Sequence, residues 1–187
     1  MKRSLTGASV VLFAVMAFFS CRHKETIEIL DSVDFDQEPD LVMTDFEYSS
    51  TTGNQKNWDL DCREAEKFDS LKKFLFKDLH FRLYEGKAVH AVLTAKFGSA
   101  NYGERDMTAQ SNVKVVFDDG TILRTQTLTW DDAREVLRTE DFVRIVKPDG
   151  DQITGYGLTM DKNADEIVIK HRVKGKFNND GSTLKDF

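Results

Sequence analysis

The sequence predicts an all-β fold, an elongated and open antiparallel β-jelly roll built from stacked two-stranded repeats. Three observations predict it. From Leu41 onward the spacing of apolar side chains is mostly two, and glycine-containing turn sequences separate the alternating runs. The phrase "TILRTQTLTWD" (121–131) also returns thirty residues later as "DQITGYGLTMD" (151–161). These observations indicate β-structure at the scale of the residue, the hairpin and the whole chain.

Alternation of apolar and polar residues is clearest in three runs, "WDLDC" (58–62), "HAVLTAKF" (90–97) and "VKVVF" (113–117). Successive side chains of a strand point to opposite faces, so a period of two places the apolar residues of each run on one face. The runs are therefore predicted to be half-buried strands.

Turn signals bound these strands. "YEGK" (84–87), "FDDGT" (117–121) and "KPDGD" (147–151) each contain a glycine, which adopts the positive φ that tight hairpins require. The strands are therefore predicted to be joined as consecutive antiparallel hairpins.

The segment 62–75, "CREAEKFDSLKKFL", also fits a helix, because Ala65, Phe68 and Leu71 are spaced by three. We interpret it as a strand that runs to about Phe68, a turn at Asp69–Ser70, and a new strand from Lys73.

The repeat extends beyond the two quoted phrases. Positions thirty apart that carry similar apolar residues are Val113, Val143 and Val173; Met107, Leu137 and Ile167; and Leu128 and Leu158. A two-stranded unit cannot bury its apolar face alone, so successive units are expected to stack as two facing sheets around a trough of uniform width. The terminal strands are expected to remain as unpaired edges.

The first twenty residues read as a secretory signal of the lipoprotein type. Lys2 and Arg3 precede an apolar run from Ala8 to Ser20, and Cys21 follows it. At about 1.5 Å per residue the run reaches roughly 20 Å, short of the ~30 Å hydrocarbon core of a bilayer. Ser20-Cys21 resembles a bacterial lipobox, which predicts lipidation of Cys21. The alternatives are an ordinary signal peptide with an incidental cysteine, or an uncleaved transmembrane anchor.

Residues 21–40 are interpreted as an acidic tether, since the stretch from Arg22 to Asp40 carries seven acidic and two basic residues. Residues 41–177 form the predicted β domain, and residues 178–187 a flexible tail. Loss of Lys2 and Arg3 with the signal changes the net charge from −6 to −8. That acidic balance argues against nucleic acid as a partner.

No catalytic, metal or cofactor site is predicted. His23, His80, His90 and His171 are scattered, although His80 and His90 could approach each other across a hairpin. Gly155 and Gly157 lack the third glycine of a dinucleotide loop, and are interpreted as a bulge or a close backbone approach.

The remaining reactive side chains also have structural interpretations. If Cys21 is lipidated, Cys62 is the only other cysteine, and it is interpreted as a small buried side chain. Turn aspartates, namely Asp118, Asp119, Asp131 and Asp132, are interpreted as solvated acids that accept hydrogen bonds from the backbone.

Five motifs in order carry a family resemblance: W-x-L-x-C-x-x-A (58–65), T-x-x-L-x-W (125–130), L-x-T-x-x-x-V-x-I (137–145), I-x-G-x-G-L (153–158) and I-x-I-x-x-x-V-x-G (167–175). Together, over Met43 to Phe177, they resemble the LptC family, the periplasmic component of the lipopolysaccharide export ABC transporter, whose fold is the OstA-like β-jelly roll. Two departures are the lipobox in place of a transmembrane helix, and Cys62 where the family commonly has alanine.

The resemblance implies a bridge component that receives lipopolysaccharide, or a related glycolipid, from an LptBFG-like ABC transporter and passes it to an LptA-like bridge protein. The implied location is the periplasmic side of the inner membrane, held by a lipid anchor. Acyl chains would lie in an apolar groove, for which the candidates are Phe46, Trp58, Phe76, Phe81, Leu93, Val115, Leu128, Ile145 and Leu158.

The resemblance also implies partner edges. The first strand, about Val42 to Ser49, is expected to face the transporter. The last strand, about Ile167 to Phe177, is expected to face the bridge protein through Ile167, Ile169 and Val173.

A different class of function fits the same signal and strands. A surface lipoprotein could bind a protein or a carbohydrate through the outer face of a β-sandwich, without lipid transport. For any one groove candidate, filling a closed core is the simpler interpretation.

Overall fold

The computed structural model describes residues 38–161 and 166–178. These residues form nine strands and no helix: β1 (Leu41–Thr52), β2 (Gln55–Phe68), β3 (Lys73–Glu85), β4 (Ala88–Asn101), β5 (Asp106–Phe117), β6 (Ile122–Asp131), β7 (Val136–Val146), β8 (Gln152–Asp161) and β9 (Ile167–Lys176). The predicted all-β fold is confirmed. The predictions for the signal, for most of the tether and for residues 179–187 lie outside the described residues.

Every strand pairs antiparallel with its neighbour in the chain, so the sheet order is β1 through β9 without a crossover. The stacked hairpins predicted from the turns are therefore confirmed. Among the described strands, β1 and β9 each pair on one side only, which leaves an open edge at either end.

Three of the predicted turns have the expected glycine conformation. Gly86, Gly120 and Gly150 have φ of 61°, 83° and 88°, values that favour glycine. The strand interpretation of residues 62–75 is also confirmed, since β2 ends at Phe68 and β3 begins at Lys73.

Each strand bends near its middle. The register shifts within β4–β5, β5–β6, β6–β7, β7–β8 and β8–β9, and residues of positive φ lie on the same line across the sheet, including Asp45, Asp78, Ser111 and Gly157. Extra residues at these positions act as β-bulges, which bend a strand and increase its twist. We call this line the crease.

Side-chain direction changes at the crease. Cys62 and Ala65 are both buried although three residues separate them, and the same spacing separates Phe76 from Leu79. The two residues between each pair therefore point outward together. In β2 and β3 the crease thus separates two segments that both present apolar side chains to the same interior.

The two segments face each other as layers of one folded sheet. The glycine-turn layer is the part of each strand between the crease and the turns at Gly53, Gly86, Gly120 and Gly150, and the opposite layer is the remainder. Phe81 and Leu93 of the glycine-turn layer line the same cavity as Trp130 and Leu137 of the opposite layer. The expected two facing sheets are therefore the two layers of a single continuous sheet.

The thirty-residue repeat corresponds to equivalent places in this architecture. Val113 and Val143 follow the crease in β5 and β7 and are 1% and 0% exposed. Leu128 and Leu158 precede the turns of the opposite layer in β6 and β8 and are 1% and 0% exposed. A repeated sequence therefore encodes a repeated pair of bent strands.

Candidate functional site

An apolar trough lies between the two layers. Two cavities of about 300 Å³ and 730 Å³ lie side by side, and five residues line both of them: Trp58, Phe76, Met107, Trp130 and Asp132. The shared lining makes them parts of one space. It extends from Leu41 and Met43 at the β1 edge to Leu137 in β7.

Aromatic rings line much of this trough. Phe46 and Phe76 have ring centroids 6.4 Å apart, Phe76 and Phe74 are 6.0 Å apart, and Trp58 and Phe81 are 5.5 Å apart. Tyr48 joins this group through Trp58 at 5.6 Å. Rings in such contact form a broad apolar surface with little conformational entropy to lose when a ligand binds.

The mouth of the trough is polar. Arg105 Nη2 lies 3.1 Å from Asp132 Oδ2, and the indole Nε1 of Trp130 donates to Asp132 Oδ1 at 3.4 Å. Lys67 also lines the larger cavity and pairs with Asp69 at 2.6 Å. An apolar interior with a charged rim suits an amphipathic ligand.

The trough does not have uniform width, which corrects that expectation. Neither apolar cavity reaches β8 or β9. Val143, Leu158 and Met160 of the carboxy-terminal strands are 0%, 0% and 1% exposed, so the interior there is filled with side chains. The difference arises because β1 to β3 carry rings that leave gaps, whereas β7 and β8 carry aliphatic side chains that interdigitate.

The nine groove candidates fall into two groups. Six of them line the cavities: Phe46, Trp58, Phe76, Phe81, Leu93 and Leu128. The other three, Val115, Ile145 and Leu158, are 4%, 5% and 0% exposed in the packed part of the core.

The residues of the trough that the sequence reasoning missed include Leu83, Met107, Trp130 and Leu137. The alternation of apolar residues could have identified them. Leu83 continues the alternation of Phe81, and Trp130 lies two positions after Leu128.

The two terminal strands expose apolar side chains. In β9 Ile167 is 39% and Val173 is 55% exposed, while Ile169 packs against the core. In β1 Leu41 and Tyr48 are 48% and 57% exposed. A strand edge with free backbone groups and apolar side chains is suited to pairing with a further strand.

Gly155 and Gly157 have the predicted backbone roles. Gly157 has φ of 69° beside the register shift of β8 and β9. A Cβ on Gly155 would lie 2.9 Å from the carbonyl oxygen of His171, which shows how closely β9 approaches there.

The outer face of β2 and β3 carries an ion-pair network centred on Asp59, which is 7% exposed. Its carboxylate accepts hydrogen bonds from Lys56 Nζ at 2.8 Å, Arg82 Nε at 2.6 Å and the Tyr84 hydroxyl at 2.8 Å. Burial raises the pKa of Asp59, but these three donors outweigh it and bring that pKa to about 2. On the same face Lys77 bridges Glu64 and Glu66.

Asp131 differs from the solvated turn acid that the sequence predicted. It is 3% exposed, and Arg134 Nη1 donates to its Oδ2 at 2.6 Å. This hydrogen bond is the main cause of the lowered pKa of Asp131. Its other oxygen accepts from the backbone N–H of Arg134, as expected of a turn residue.

The remaining reactive side chains have structural surroundings. Cys62 is buried, and burial, with a contribution from Asp61, raises the pKa of its thiol to about 11. His80 contacts Asp61 and His90 contacts Asp118, so the two histidines have separate partners.

Within residues 38–161 and 166–178, no group of three or more metal-ligating side chains could hold an ion. No helix in that part of the chain could span a membrane.

Comparison with known proteins agrees with the sequence motifs. The model of the family described as "Lipopolysaccharide-assembly, LptC-related" matches residues 8–178. No curated protein matches the sequence. Among solved structures, LptH from Pseudomonas aeruginosa, described as the LptA homologous periplasmic component of the lipopolysaccharide transport device, has a TM-score of 0.49 and 11% identity. The match covers 65% of this chain and 94% of that one.

Proposed function

This chain belongs to the LptC-related family of lipopolysaccharide-assembly proteins, and on that premise we propose that its trough carries the acyl chains of lipopolysaccharide or a related glycolipid. The chain would receive the lipid from an ABC transporter of the inner membrane and pass it to an LptA-like bridge protein. The proposal assigns no chemical step to the chain, because the work of extraction belongs to the transporter.

The observation that carries this proposal is the continuous apolar trough between the layers. Each methylene of an acyl chain left in water costs about 0.8 kcal/mol, so a lipid with several chains cannot cross an aqueous space unaided. Aromatic side chains such as Phe81 and Trp58 offer a surface that removes this cost. The polar mouth at Arg105 and Asp132 leaves the saccharide in water.

The proposed direction of transfer rests on the family resemblance, and the two open edges supply surfaces for it. In the proposed orientation β1 faces the transporter and β9 faces the bridge protein. Strand addition supplies backbone hydrogen bonds, and the exposed Ile167 and Val173 supply apolar contacts.

The packed part of the interior adds a condition to this proposal. A lipid that leaves through β9 must displace side chains such as Leu158 and Val143, both 0% exposed. Passage therefore requires the two layers to separate at β7 and β8. We propose that strand addition at β9 favours the separated state, since a ligand shifts a conformational equilibrium by binding one state more tightly.

Site-specific photo-crosslinking in cells tests the trough. A photoreactive residue at Phe81 or Leu93 is expected to form lipopolysaccharide adducts, because both side chains line the cavity. Val92 is the matched control, since it neighbours Leu93 but points to the outer face. Absence of adducts at both trough positions would reject the proposed conduit.

The same method tests whether the packed part opens. A photoreactive residue at Ile145 or Leu158 is expected to give adducts only while the transporter hydrolyses ATP. Adducts at Leu93 without any at Leu158 would mean that lipid enters the trough but does not leave through β9.

Truncation tests the orientation. A chain that ends before Ile167 lacks β9 and is expected to lose the bridge protein while it keeps the transporter. If the truncated chain still bound the bridge protein, β9 would not be the edge that faces it, and the proposed orientation would be rejected.

We also propose that Cys21 carries the lipid anchor at the periplasmic side of the inner membrane. Metabolic labelling with a fatty acid is expected to label the natural chain and not Cys21→Ser. Equal labelling of both would place the anchor elsewhere.

A further inference from the structure

A row of cations crosses the outer face of the glycine-turn layer. In the register of the sheet, Lys114 lies opposite Arg124, and Arg124 lies opposite Arg144. On the next two strands Arg144 lies opposite Thr154, and Thr154 lies opposite Lys174. Direct register partners project from the same face with Cβ atoms about 4.5–5.5 Å apart. Four cations therefore lie along one line across β5 to β9.

This alignment does not serve folding. Like charges on directly opposed residues destabilise a sheet, and Lys114, Arg124 and Arg144 are three such residues in succession. None of the four cations forms an ion pair with an acid within the described parts of the chain. The chain has 32 acidic residues against 26 basic ones, so acids are not scarce.

Three of the cations line a concave cleft of about 480 Å³. Asn112 and Gln126 contribute side-chain amides to its lining. The other lining residues are Thr94, Val113, Thr125 and Phe142. Arginine guanidinium groups match the geometry of phosphate, and amides donate to and accept from hydroxyl groups.

Two exposed aromatic side chains lie at one side of this cleft. Phe142, which lines it, and Tyr156 are each 43% exposed, and their rings are T-shaped with centroids 5.4 Å apart. Arg172 lies over the Tyr156 ring at 5.8 Å. An exposed ring provides an apolar surface on which the carbon face of a sugar can pack.

The acids nearest in sequence have other partners. Glu140 pairs with Lys170, and Asp141 accepts a hydrogen bond from the Thr127 hydroxyl at 2.6 Å. Within the described residues, neither acid forms an ion pair with Arg144.

We propose that this cleft binds the phosphorylated saccharide headgroup of a glycolipid. The cations bind the phosphates, the amides bind sugar hydroxyls, and Phe142 packs against a sugar ring. A concave cleft with amides favours a discrete saccharide over a flat anionic membrane. Only the source of the saccharide rests on the proposed function, because the cleft itself is independent of the trough.

The sheet separates this cleft from the trough. Val115 and Leu123, which are 4% and 0% exposed, belong to the buried core and directly follow or precede Lys114 and Arg124 on the same strands. The headgroup in the cleft therefore belongs to a different lipid molecule from the one whose tails occupy the trough.

Calorimetric titration of the full-length protein in detergent tests the proposal. The ligand is a bisphosphorylated glucosamine disaccharide without acyl chains, and the variant is Arg124→Gln/Arg144→Gln. The variant is expected to bind at least about tenfold more weakly, because two charge-assisted contacts are lost. The matched control Lys72→Gln/Lys87→Gln removes two cations outside the row and is expected to bind as the natural protein does.

Further ligands distinguish the chemistry. The disaccharide without phosphates and inorganic phosphate alone are each expected to bind far more weakly than the phosphorylated disaccharide. Equal affinity for inorganic phosphate would show an unspecific cationic patch and overturn the proposal. The natural protein could instead bind phosphatidylglycerol vesicles more tightly than Arg124→Gln/Arg144→Gln does, without binding the disaccharide. That result would show a membrane contact and would also overturn the proposal.

Two readouts separate the possible failures. Thermal unfolding is expected to show that Arg124→Gln/Arg144→Gln folds at least as stably as the natural protein, so weaker binding is not unfolding. Unchanged disaccharide binding by this variant would reject the cleft. Lipid adducts at Leu93 report on the trough alone, so persistent adducts with no disaccharide binding would reject the cleft and leave the proposed function standing.

Discussion

The amino-terminal half of the sheet, β1 to β4, and the carboxy-terminal half, β5 to β9, share one pattern of bent strands but differ in their interiors. The first half presents rings such as Trp58 and Phe81, which line cavities and remain partly exposed. In the second half the cavities reach no further than Leu137 in β7, and Val143 and Leu158 are both 0% exposed. The same backbone therefore forms an open trough at one end and a closed core at the other.

The outer faces of the two halves differ as well. On β2 and β3, acids face bases across the strands, as Asp59 faces Arg82. On β5 to β7, Lys114, Arg124 and Arg144 face one another with no acid between them. The first arrangement stabilises the fold, whereas the second costs stability and is explained by an external ligand. A repeated fold thus carries two different surfaces.

The largest expected difference concerns the interiors. Leu158→Ala is expected to lower the free energy of unfolding by about 3–5 kcal/mol, because it leaves a cavity in a packed core. Leu93→Ala, beside an existing cavity, is expected to cost roughly 1 kcal/mol. Urea unfolding measures both. Equal losses would mean that the two halves are packed alike in solution.

Alanine substitution of two glycines tests the same difference between the packed and the open interior. Gly155→Ala would place a Cβ 2.5 Å from Ile169 Cγ2 and 2.9 Å from the His171 oxygen, and is expected to cost about 1–3 kcal/mol. Gly98→Ala would meet Leu79 Cδ2 at 2.7 Å, but that methyl group is the end of a flexible side chain that lines a cavity. Thermal unfolding is expected to show the smaller loss for Gly98→Ala, and the reverse order would contradict the open interior.

The paired outer face predicts a pH dependence. The pKa of Asp59 is about 2 in the folded protein and about 3.9 when unfolded. Its stabilising contribution, on the order of 1–2 kcal/mol, is therefore complete above about pH 4 and is lost as the pH falls toward 2. Urea unfolding between pH 4.5 and 2.5 is expected to show a shallower loss for Asp59→Asn than for the natural protein. The exposed Asp45→Asn serves as the control, and an identical profile for Asp59→Asn would contradict the assignment.

The smallest effect concerns the unpaired outer face. Arg144→Gln removes one of three adjacent like charges and is expected to raise the free energy of unfolding by up to about 0.5 kcal/mol at low salt. Added salt is expected to reduce this gain, because it screens exposed charges. Thermal melts at two ionic strengths measure it. Destabilisation by Arg144→Gln would mean that the arginine has a structural role that the row does not show.

The local structure of this protein could be predicted from its sequence. Within each segment between a turn and the crease, alternation indicated which residues point inward, because the pleat of a strand is a property of its own backbone. Gly86, Gly120 and Gly150 fixed the turns, since they occupy a φ region that other residues disfavour. The turn between Phe68 and Lys73 was also predicted from local sequence. Alternation likewise predicted that Phe81, Leu93 and Leu128 point inward.

The open part of the interior could not be located from the sequence, because it depends on contacts between the two layers. Leu93 and Leu158 show the same alternation, yet one lines a cavity and the other is fully packed. The difference depends on which side chains meet them from the opposite layer, many residues away in sequence.

The crease was also missed from the sequence, although the spacing of three between the buried residues Cys62 and Ala65 is a sign of it. The alignment of Lys114 with Arg124 and Arg144 required the register of three strands, which hydrogen bonding between strands sets and no single strand encodes.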